Sequence, residues 1–232
     1  MAGGASYDGL SRARNVPTMQ QITTVDELVA LVGEPIPRVR DKVRPALHDL
    51  DRAWLAASPM CFVATSGPDG SCDVSPKGDP PGSLVHVIDD RTIALAERPG
   101  NRRADGYRNV LANPHVGLGF LIPGRGDTLR VNGRARLVVE PSLLEAMAVK
   151  GHLPLLALVV DIDEVFHHCA KAFLRSRLWD PESWDPSAVP DRPHLAKVFE
   201  RPEDSLEELA AYYGPGYGGD LYGGPAVAES GT

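Results

Sequence analysis

Long apolar runs are absent from the sequence. A membrane-spanning helix needs roughly 20 consecutive apolar residues, and an apolar stretch such as Leu153–Val160 is far shorter. Residues 1–17 also lack the apolar core of a secretory signal peptide. We therefore expect a soluble protein that resides in the cytoplasm and has no membrane partner.

Cysteine and positive charge are scarce as well. The three cysteines, Cys61, Cys72 and Cys169, are odd in number and include no C-x-x-C pair, which argues against a disulfide framework or a zinc knuckle. The formal net charge is -7 at pH 7. Because affinity for nucleic acid comes from clustered lysine and arginine, we expect no nucleic-acid partner. A local basic cluster that binds one small anion remains compatible with this composition.

The first quarter of the chain has helical patterns. At 232 residues one domain with terminal extensions is the simplest expectation, and residues 1–58 are predicted to be an N-terminal extension with two capping helices. Residues up to about Pro17 are expected to be poorly ordered. Residues 24–33 have capping-box spacing and a glycine that can end a helix, and residues 38–58 are helical with a break at Pro45.

Residues 59–180 have the pattern of short strands separated by turn residues. The strand segments are "MCFVATS", "SCDVSPKG", "SLVHVID", "RTIALAE", "HVGLGFLIPG", "DTLRVNGRARLVVE" and "LPLLALVVDIDEVFHH". This succession predicts a mainly β fold with flanking helices, a closed or split antiparallel β-barrel, whereas a dinucleotide-binding sheet would need the missing G-x-G-x-x-G fingerprint. Residues 181–232 are predicted to be a loop, a short helix and a Gly- and Tyr-rich tail packed on the same domain.

One segment, "AERPGNRRADGYRNVLANPH", concentrates arginine in an acidic chain. We predict that a helix begins here, with Asn101 as its N-cap and Arg102 and Arg103 in its first turn. A helix N-terminus favours negative charge, so cations at that place make sense if an anion is shared between them. Free backbone N–H groups, the helix dipole and two guanidinium groups together form a phosphate site.

The spacing leaves a second interpretation of these arginines open. They would then be solvated residues of a surface helix that pair with Glu97 and Asp105. Arg98 and Arg108 are assigned to this solvated or paired class in either case.

A second basic element favours the anion site. The segment "DVSPKGDPPG" places Ser75 and Lys77 near the end of a strand. A hydroxyl and a point charge are the groups that a phosphate or a ring carbonyl needs as partners. Taken alone, Lys77 would be an ordinary exposed lysine of a turn.

With both elements in view, the sequence resembles the pyridoxamine 5′-phosphate oxidase-like superfamily of FMN-binding split-barrel proteins. More narrowly, it is similar to the bacterial branch of probable FMN-dependent enzymes in that superfamily. The blocks that carry the resemblance are "FVATSGPDGSCDVSPKGDPPG", "RPGNRRADGYRNVLANPHVGLGFLIPG", "LRVNGRARLV" and "FHHCAKAFLRSRLW", between about Met60 and Trp179. The resemblance implies a homodimer of split barrels, with FMN bound at the interface by residues of both chains.

The resemblance also implies three groups of cofactor-binding residues. They are Ser75, Pro76 and Lys77; Asn101, Arg102 and Arg103; and Lys171, Arg177 and Trp179. The first group would line the flavin, the second would bind its phosphate, and the third would lie near the flavin or the partner subunit together with Arg175. Arg130 and Arg134 are weaker candidates, for which solvated strand residues are the alternative.

The block "FHHCAKAFLRSRLW" raises the question of a metal. His167, His168 and Cys169 are adjacent, but neighbouring residues of a strand point to opposite faces, so we expect no metal site. The family's true pyridoxamine phosphate oxidases carry a terminal Trp-Arg-Pro-x-Arg motif, which this sequence lacks. The resemblance therefore does not extend to a vitamin B6 substrate.

The implied function is that of an FMN-dependent oxidoreductase. FMN would exchange a hydride at N5 with an unidentified small-molecule substrate and electrons with NAD(P)H or oxygen. No catalytic residue is assigned, and the candidate proton donors are His86, His115 and His168. A flavin-binding or redox-sensing protein without turnover, and a split-barrel protein that uses F420 or haem, remain as alternatives.

Overall fold

The computed structural model describes residues 19–219, 221 and 222. The expectation of poor order up to Pro17 and much of the Gly- and Tyr-rich tail therefore lie outside the described residues. Within that described part of the chain, no helix is long and apolar enough to cross a membrane. The chain divides into two compact units, residues 1–42 and 43–232.

The first unit contains two short helices, α1 (Val25–Val32) and α2 (Pro37–Arg40), neither of which has a buried residue. The predicted capping box is present at α1. The backbone N–H of Glu27 donates to the Thr24 hydroxyl, and the Glu27 carboxylate accepts from the backbone of Thr24, each at 3.2 Å.

The second predicted helix, residues 38–58, is not one element. Helix α3 (Asp49–Ala57) begins nine residues after α2 ends. Between them Arg44 forms an isolated antiparallel bridge with Val165, with backbone hydrogen bonds of 3.1 and 2.8 Å. Backbone that pairs with a strand is extended, and Pro45 cannot donate to a helix, so the chain stays open until α3.

The second unit is built on one sheet of seven antiparallel strands. The strands are β1 (Met60–Ser66), β2 (Cys72–Gly78), β3 (Val85–Val87), β4 (Thr92–Ala96), β5 (His115–Leu121), β6 (Thr128–Val138) and β7 (Ala157–His168). Their order in the sheet is β2-β1-β5-β6-β7-β4-β3. The prediction of a mainly β, antiparallel fold with flanking helices is confirmed.

The structure describes five further helices in this unit. They are α4 (Asp105–Ala112), α5 (Pro141–Ala146), α6 (Lys171–Ser176), α7 (Arg192–Phe199) and α8 (Leu206–Tyr212), with short 3₁₀ helices at Pro181–Ser183 and Pro186–Ala188. Helix α8 is the short helix that was predicted within residues 181–232. Helix α7 was not predicted, because the many prolines before it suggested a continuous loop. It starts on Asp191, whose side chain accepts from the backbone N–H of His194 at 3.1 Å.

The core follows the period of two that strands impose on side chains. On β1 the residues Cys61, Val63 and Thr65 are buried, whereas Phe62 and Ala64 between them are exposed. The inner faces of β5, β6 and β7 continue this core, and Leu55 of α3 and Val110 of α4 pack into it. Burial of this one face fixes which side of each strand faces inward.

The sheet curves so that its two ends approach each other. Lys77 on β2 contacts Glu97, the residue that follows β4, at 2.5 Å, although four strands separate β2 from β4 in the sheet order. Close to this contact, Asp79 and Arg98 form a second ion pair at 2.8 Å. These contacts bring the end of β2, the end of β4 and the start of α4 to one place.

Candidate functional site

A cavity of about 210 Å³ lies where these three segments meet. We call it the β2–α4 pocket. Its walls are residues 73–77 of β2, Val63 and Thr65 of β1, Glu97 after β4, and Asn101 with residues 103–107. The candidate residues among its lining are Ser75, Pro76, Lys77, Asn101 and Arg103. The single chain thus brings the first predicted group together with two of the three members of the second, and their role in cofactor binding stays a prediction.

The helix at the pocket begins later than the sequence suggested. Helix α4 starts at Asp105, so the prediction of Asn101 as N-cap, with Arg102 and Arg103 in the first turn, is wrong. The Asn101 side chain instead accepts from the backbone N–H of Arg103 at 3.1 Å. Arg102 and Ala104 have left-handed backbone, with φ of 60° and 56°. Left-handed backbone at a residue other than glycine destabilises the folded state by about 1–2 kcal/mol. Here this conformation shapes the loop beside the pocket.

The first turn of α4 leaves polar groups available to the pocket. Ala104 is the N-cap and has no side chain that could accept a hydrogen bond. The first N–H groups of a helix have no partner within the helix, and they favour an anion. Asp105, Gly106 and Tyr107, which carry these groups, line the pocket. The helix start can therefore receive a negatively charged group.

Gly106 allows this helix start to pack closely on the sheet. A Cβ atom at Gly106 would lie 3.1 Å from Asp73 Oδ2 and 3.4 Å from Thr65 Oγ1. The Asn109 amide, one turn later, donates to Thr65 Oγ1 at 3.1 Å. A carboxylate beside a helix N-terminus is electrostatically favourable, so Asp73 already stabilises this helix start.

The two central arginines have different surroundings. Arg103 forms an ion pair of 2.6 Å with Asp105, as the alternative interpretation of the sequence expected. Arg102 is exposed, does not line the pocket, and makes no ion pair with any residue that the structure describes. Of the neighbouring pair, Arg102 is therefore the cation whose charge is not already balanced.

Lys77, Glu97 and Tyr107 form a connected cluster in the pocket wall. Glu97 Oε2 accepts from Lys77 Nζ at 2.5 Å and from the Tyr107 hydroxyl. The Lys77 ammonium also lies 4.7 Å from the centre of the Tyr107 ring. Burial, together with the hydrogen bond to the Glu97 carboxylate, raises the pKa of Tyr107, so its hydroxyl stays protonated.

Cys61 lies beneath this cluster. It pairs directly with Lys77 across β1 and β2, and its side chain is fully buried. Burial raises the pKa of the thiol to about 12, against a smaller opposing effect of the Lys77 charge. The thiol is therefore neutral and behaves as a small apolar core group.

Arg98, which the sequence assigned to a solvated or paired role, is paired and nearly buried. Its guanidinium donates to Asp79 at 2.8 Å and to the backbone oxygen of Met147 at 2.9 Å. Its side chain is 12% exposed and that of Asp79 only 3%. Arg98 thus ties the segment after β4 to the end of β2. Arg108, on α4, is exposed.

The third predicted group, Lys171, Arg177 and Trp179, lies on and after α6 and does not line the pocket of the same chain. Arg177 pairs with Asp180. Trp179 Nε1 donates to the backbone oxygen of Arg125 at 2.6 Å. The prediction that a second chain brings these residues to the pocket stays open.

The histidines also lie outside the pocket lining. His167 Nε2 is 3.1 Å from Asp51 Oδ1, and Asp51 also accepts two hydrogen bonds from Arg44, at 2.5 and 2.9 Å. His86 borders a separate small cavity, and His115 is exposed. Within the described part of the chain, no group of three His, Cys, Asp or Glu side chains is placed to hold a metal ion.

Sequence reasoning missed three members of the pocket wall. Asp73 could have been found, because it shares the period of two with Ser75 and Lys77 on β2. Glu97 was considered only as a partner of the arginines. The sequence places Tyr107 only within a predicted helix. Its position in the pocket wall could not be predicted, because it depends on the packing of α4 against β2 in the folded chain.

Comparison with known proteins is informative at the level of the family. The model of the pyridoxamine 5′-phosphate oxidase family matches residues 47–169, which is more than half of the chain. No curated protein matches the chain.

Several solved structures are similar to this chain at low sequence identity and low TM-score. HupZ of Group A Streptococcus is 18% identical, with 52% of this chain and 93% of that chain covered and a TM-score of 0.42. An FMN-binding protein from Syntrophomonas wolfei is 15% identical, with coverage of 52% and 90% and a TM-score of 0.39. A Clostridium acetobutylicum protein related to general stress protein 26 is 14% identical, with coverage of 52% and 86% and a TM-score of 0.40. These similarities are too weak to transfer a ligand or an activity.

Proposed function

The chain belongs to the pyridoxamine 5′-phosphate oxidase family, and from this we propose that it is an FMN-dependent oxidoreductase that acts on a small molecule. The observation that carries the proposal is the β2–α4 pocket, whose lining residues all fall within the matched part of the chain. The pocket combines the uncapped start of a helix with Arg103 at one end and with Lys77 on β2. These are donors for an anion and for a polar ring in one cavity.

The donor set fits the phosphate of FMN on one condition. Three acids, Asp73, Glu97 and Asp105, and two bases, Lys77 and Arg103, line the pocket. A dianion therefore needs a cation beyond those already paired. Arg102, which has no ion pair with a described residue, supplies that charge if its side chain turns toward the helix start. Arg103 adds to it if the phosphate displaces Asp105.

The remaining pocket residues would hold the flavin ring. When bound, FMN supplies hydride transfer at N5. Lys77 and Ser75 are the donors that β2 offers to ring oxygens and nitrogens, and the backbone of Pro76 lies between them. Val63, Val110 and Leu158 give the cavity an apolar wall that excludes water.

A single chain provides only part of such a site. Pockets for ligands of this size usually measure about 300–1,000 Å³, whereas the β2–α4 pocket measures about 210 Å³. We propose that the curved sheet is a split barrel and that a second copy completes the site with Lys171, Arg177 and Trp179. The exposed apolar side chains Phe62 and Val74, on the outer face of β1 and β2, support this dimer.

Binding of FMN is tested by its spectrum and by titration of the apoprotein with FMN, F420 and haem. We expect a flavin absorption band and a stoichiometric FMN complex. A Soret band would show that the protein binds haem, and tight binding of F420 in place of FMN would show that it uses F420. Either result would contradict FMN as the cofactor.

Turnover is tested separately, by anaerobic bleaching with NADH or NADPH followed by reoxidation with oxygen or a panel of small molecules. Rapid reduction and substrate-dependent reoxidation are expected of an enzyme. An FMN complex that neither donor reduces would instead be a flavin-binding or redox-sensing protein.

A further inference from the structure

Three side chains from three separate elements meet in one wall of the β2–α4 pocket. Lys77 comes from β2, Glu97 follows β4, and Tyr107 lies in the first turn of α4. A single carboxylate oxygen of Glu97 accepts from both the Lys77 ammonium, at 2.5 Å, and the Tyr107 hydroxyl. The face of the Tyr107 ring lies 4.7 Å from the same ammonium.

The backbone holds this cluster firmly. The N–H of Glu97 donates to the oxygen of Leu156 at 2.9 Å, and the oxygen of Glu97 accepts from the N–H of Leu155 at 3.0 Å. Tyr107 packs against the hydrophobic core. The Lys77 and Glu97 side chains are only 17% and 22% exposed. An otherwise flexible lysine is thus confined to one position.

A contribution to folding stability does not explain the cluster of Lys77, Glu97 and Tyr107 well. Removing two charges from water costs about as much as their attraction returns, so partly buried ion pairs are weak stabilisers. Lys77 uses one of its three N–H donors on Glu97 and makes no other hydrogen bond to a described residue. The cluster therefore presents an ammonium of fixed direction, with donors to spare and with its charge balanced by Glu97.

We propose that Glu97 and Tyr107 are positioning residues for Lys77: they fix its ammonium toward bound FMN, and the Glu97 charge holds down the reduction potential of the flavin. The inference rests on the proposed function, because it takes Lys77 as a flavin contact. The physical reason is charge balance. Reduction makes the flavin more negative, so an uncompensated ammonium would favour the reduced form, and Glu97 offsets that effect.

The first test measures the midpoint potential of bound FMN, by reduction with xanthine and xanthine oxidase against a reference dye. Glu97→Gln removes the charge and keeps the shape, and we expect the ratio of affinities for reduced and oxidised FMN to rise roughly tenfold, or about 30 mV for two electrons. Glu97→Asp should restore the parental potential, and Glu145→Gln, an exposed carboxylate on α5, should not change it. An unchanged potential in Glu97→Gln, with FMN bound, overturns the inference.

The second test needs no flavin, so it separates this inference from the proposed function. Reductive methylation of the apoprotein, followed by peptide mass spectrometry, should modify Lys77 at least several-fold more slowly than the exposed Lys150. Tyr107→Phe removes one bond to Glu97 without changing the charge. It should speed Lys77 modification while leaving the FMN potential near the parental value.

The outcomes of the two tests are distinct. If Lys77 is modified as fast as Lys150 in the parent protein, the positioning role is overturned. If Lys77 is protected but FMN does not bind, the proposed function fails while the positioning of Lys77 stands for another ligand.

Discussion

Arg102 and Arg103 are neighbours in sequence but have different electrostatic surroundings. Arg103 is held by Asp105, whereas Arg102 has no ion pair with any residue in the described part of the chain. The left-handed backbone of Arg102 and Ala104 separates them, because it directs successive residues of the loop away from the path of a helix. At the scale of single residues, the structure therefore shows a difference in ion pairing between two arginines that the sequence treated as equal.

We predict that Arg102→Ala weakens FMN binding by about 1.5–3 kcal/mol, the range for a hydrogen bond to a charged group. Arg103→Ala should also weaken binding, but by less, because Arg103 can bind the phosphate only after its ion pair with Asp105 is broken. Quenching of FMN fluorescence on titration gives both dissociation constants. Arg108→Ala, an exposed arginine on α4, is the control and should bind FMN like the parent protein. Parental affinity in both the Arg102 and Arg103 variants would refute the phosphate assignment.

Asp51 carries a pH-dependent part of the stability. Burial alone would raise its pKa, but hydrogen bonds from Arg44 and from the backbone of His48 lower it overall. A carboxyl group with a lowered pKa in the folded state stabilises the protein fully above its unfolded pKa of about 3.9. That stabilisation is lost as the pH falls through the folded pKa.

We predict that Asp51→Asn lowers the free energy of unfolding at pH 7 by about 3 kcal/mol, because it leaves the Arg44 charge without its partner. The difference from the parent protein should shrink as the pH falls below about 4. Urea denaturation at pH 7 and at pH 3 measures both quantities. Asp49→Asn, on the exposed face of the same helix, should change neither appreciably. A difference that is independent of pH would show that Asp51 does not act through its charge.

At the scale of elements, Gly133 decides how β6 meets β7. The register between these strands shifts at Asn132/Gly133, and a Cβ atom on Gly133 would lie 2.1 Å from the backbone oxygen of Asp161. Real atoms cannot approach so closely, and the atom in the way belongs to the backbone. The glycine is therefore required for the close contact of the two longest strands.

We predict that Gly133→Ala destabilises the protein by about 3 kcal/mol or more, the upper part of the range for an overpacked core. Gly119→Ala is the matched control on β5, because a Cβ atom on Gly119 would have no neighbouring atom within 4 Å, and it should cost less than about 1 kcal/mol. Urea denaturation compares the two variants. Equal free energies of unfolding for the Gly133 and Gly119 variants would contradict the close approach of β6 to β7 at Gly133.

At the scale of the whole molecule, the curved sheet brings its ends together and leaves an apolar outer face. Val74 on the edge strand β2 is 61% exposed, and Phe62, its diagonal neighbour on β1, is 43% exposed. Large exposed apolar side chains that are adjacent on a sheet mark a surface for association. Val74 alternates along β2 with Asp73, Ser75 and Lys77, but it also lines the β2–α4 pocket, so a second chain on this face would lie beside the pocket.

We predict that the protein is a homodimer in solution and that Val74→Asp weakens the dimer, because it buries a charge at the interface. Light scattering coupled to gel filtration measures the mass, and circular dichroism checks that the variant is folded. Val189→Asp, an equally exposed valine after the 3₁₀ helices, should remain dimeric. We expect the Val74 variant to lose FMN affinity as well. A parent protein that is monomeric with one FMN per chain would refute the shared site.

Local patterns in the sequence were sufficient to predict the strands and the capping box at Thr24. They also predicted that β2 is a strand and that a helix lies at α4. These features depend on side-chain alternation and on hydrogen bonds between near neighbours, which short stretches of sequence specify. The sequence placed the start of α4 too early, because asparagine is a common N-cap residue. In the structure the Asn101 side chain instead accepts from the backbone N–H of Arg103 in the loop before the helix. That choice depends on how the loop meets β2.

Only the tertiary structure could join Lys77 to Glu97 and Tyr107, or Arg98 to Asp79. The partners lie 20, 30 and 19 positions apart in the sequence, counted from the residue numbers, and they meet because the whole sheet curves. The sequence by itself determined a mainly β, antiparallel fold, because side-chain alternation is local, and it predicted an anion as ligand, which stays a prediction. Which charges are free and which are paired depends on long-range contacts, and the folded structure alone decided that.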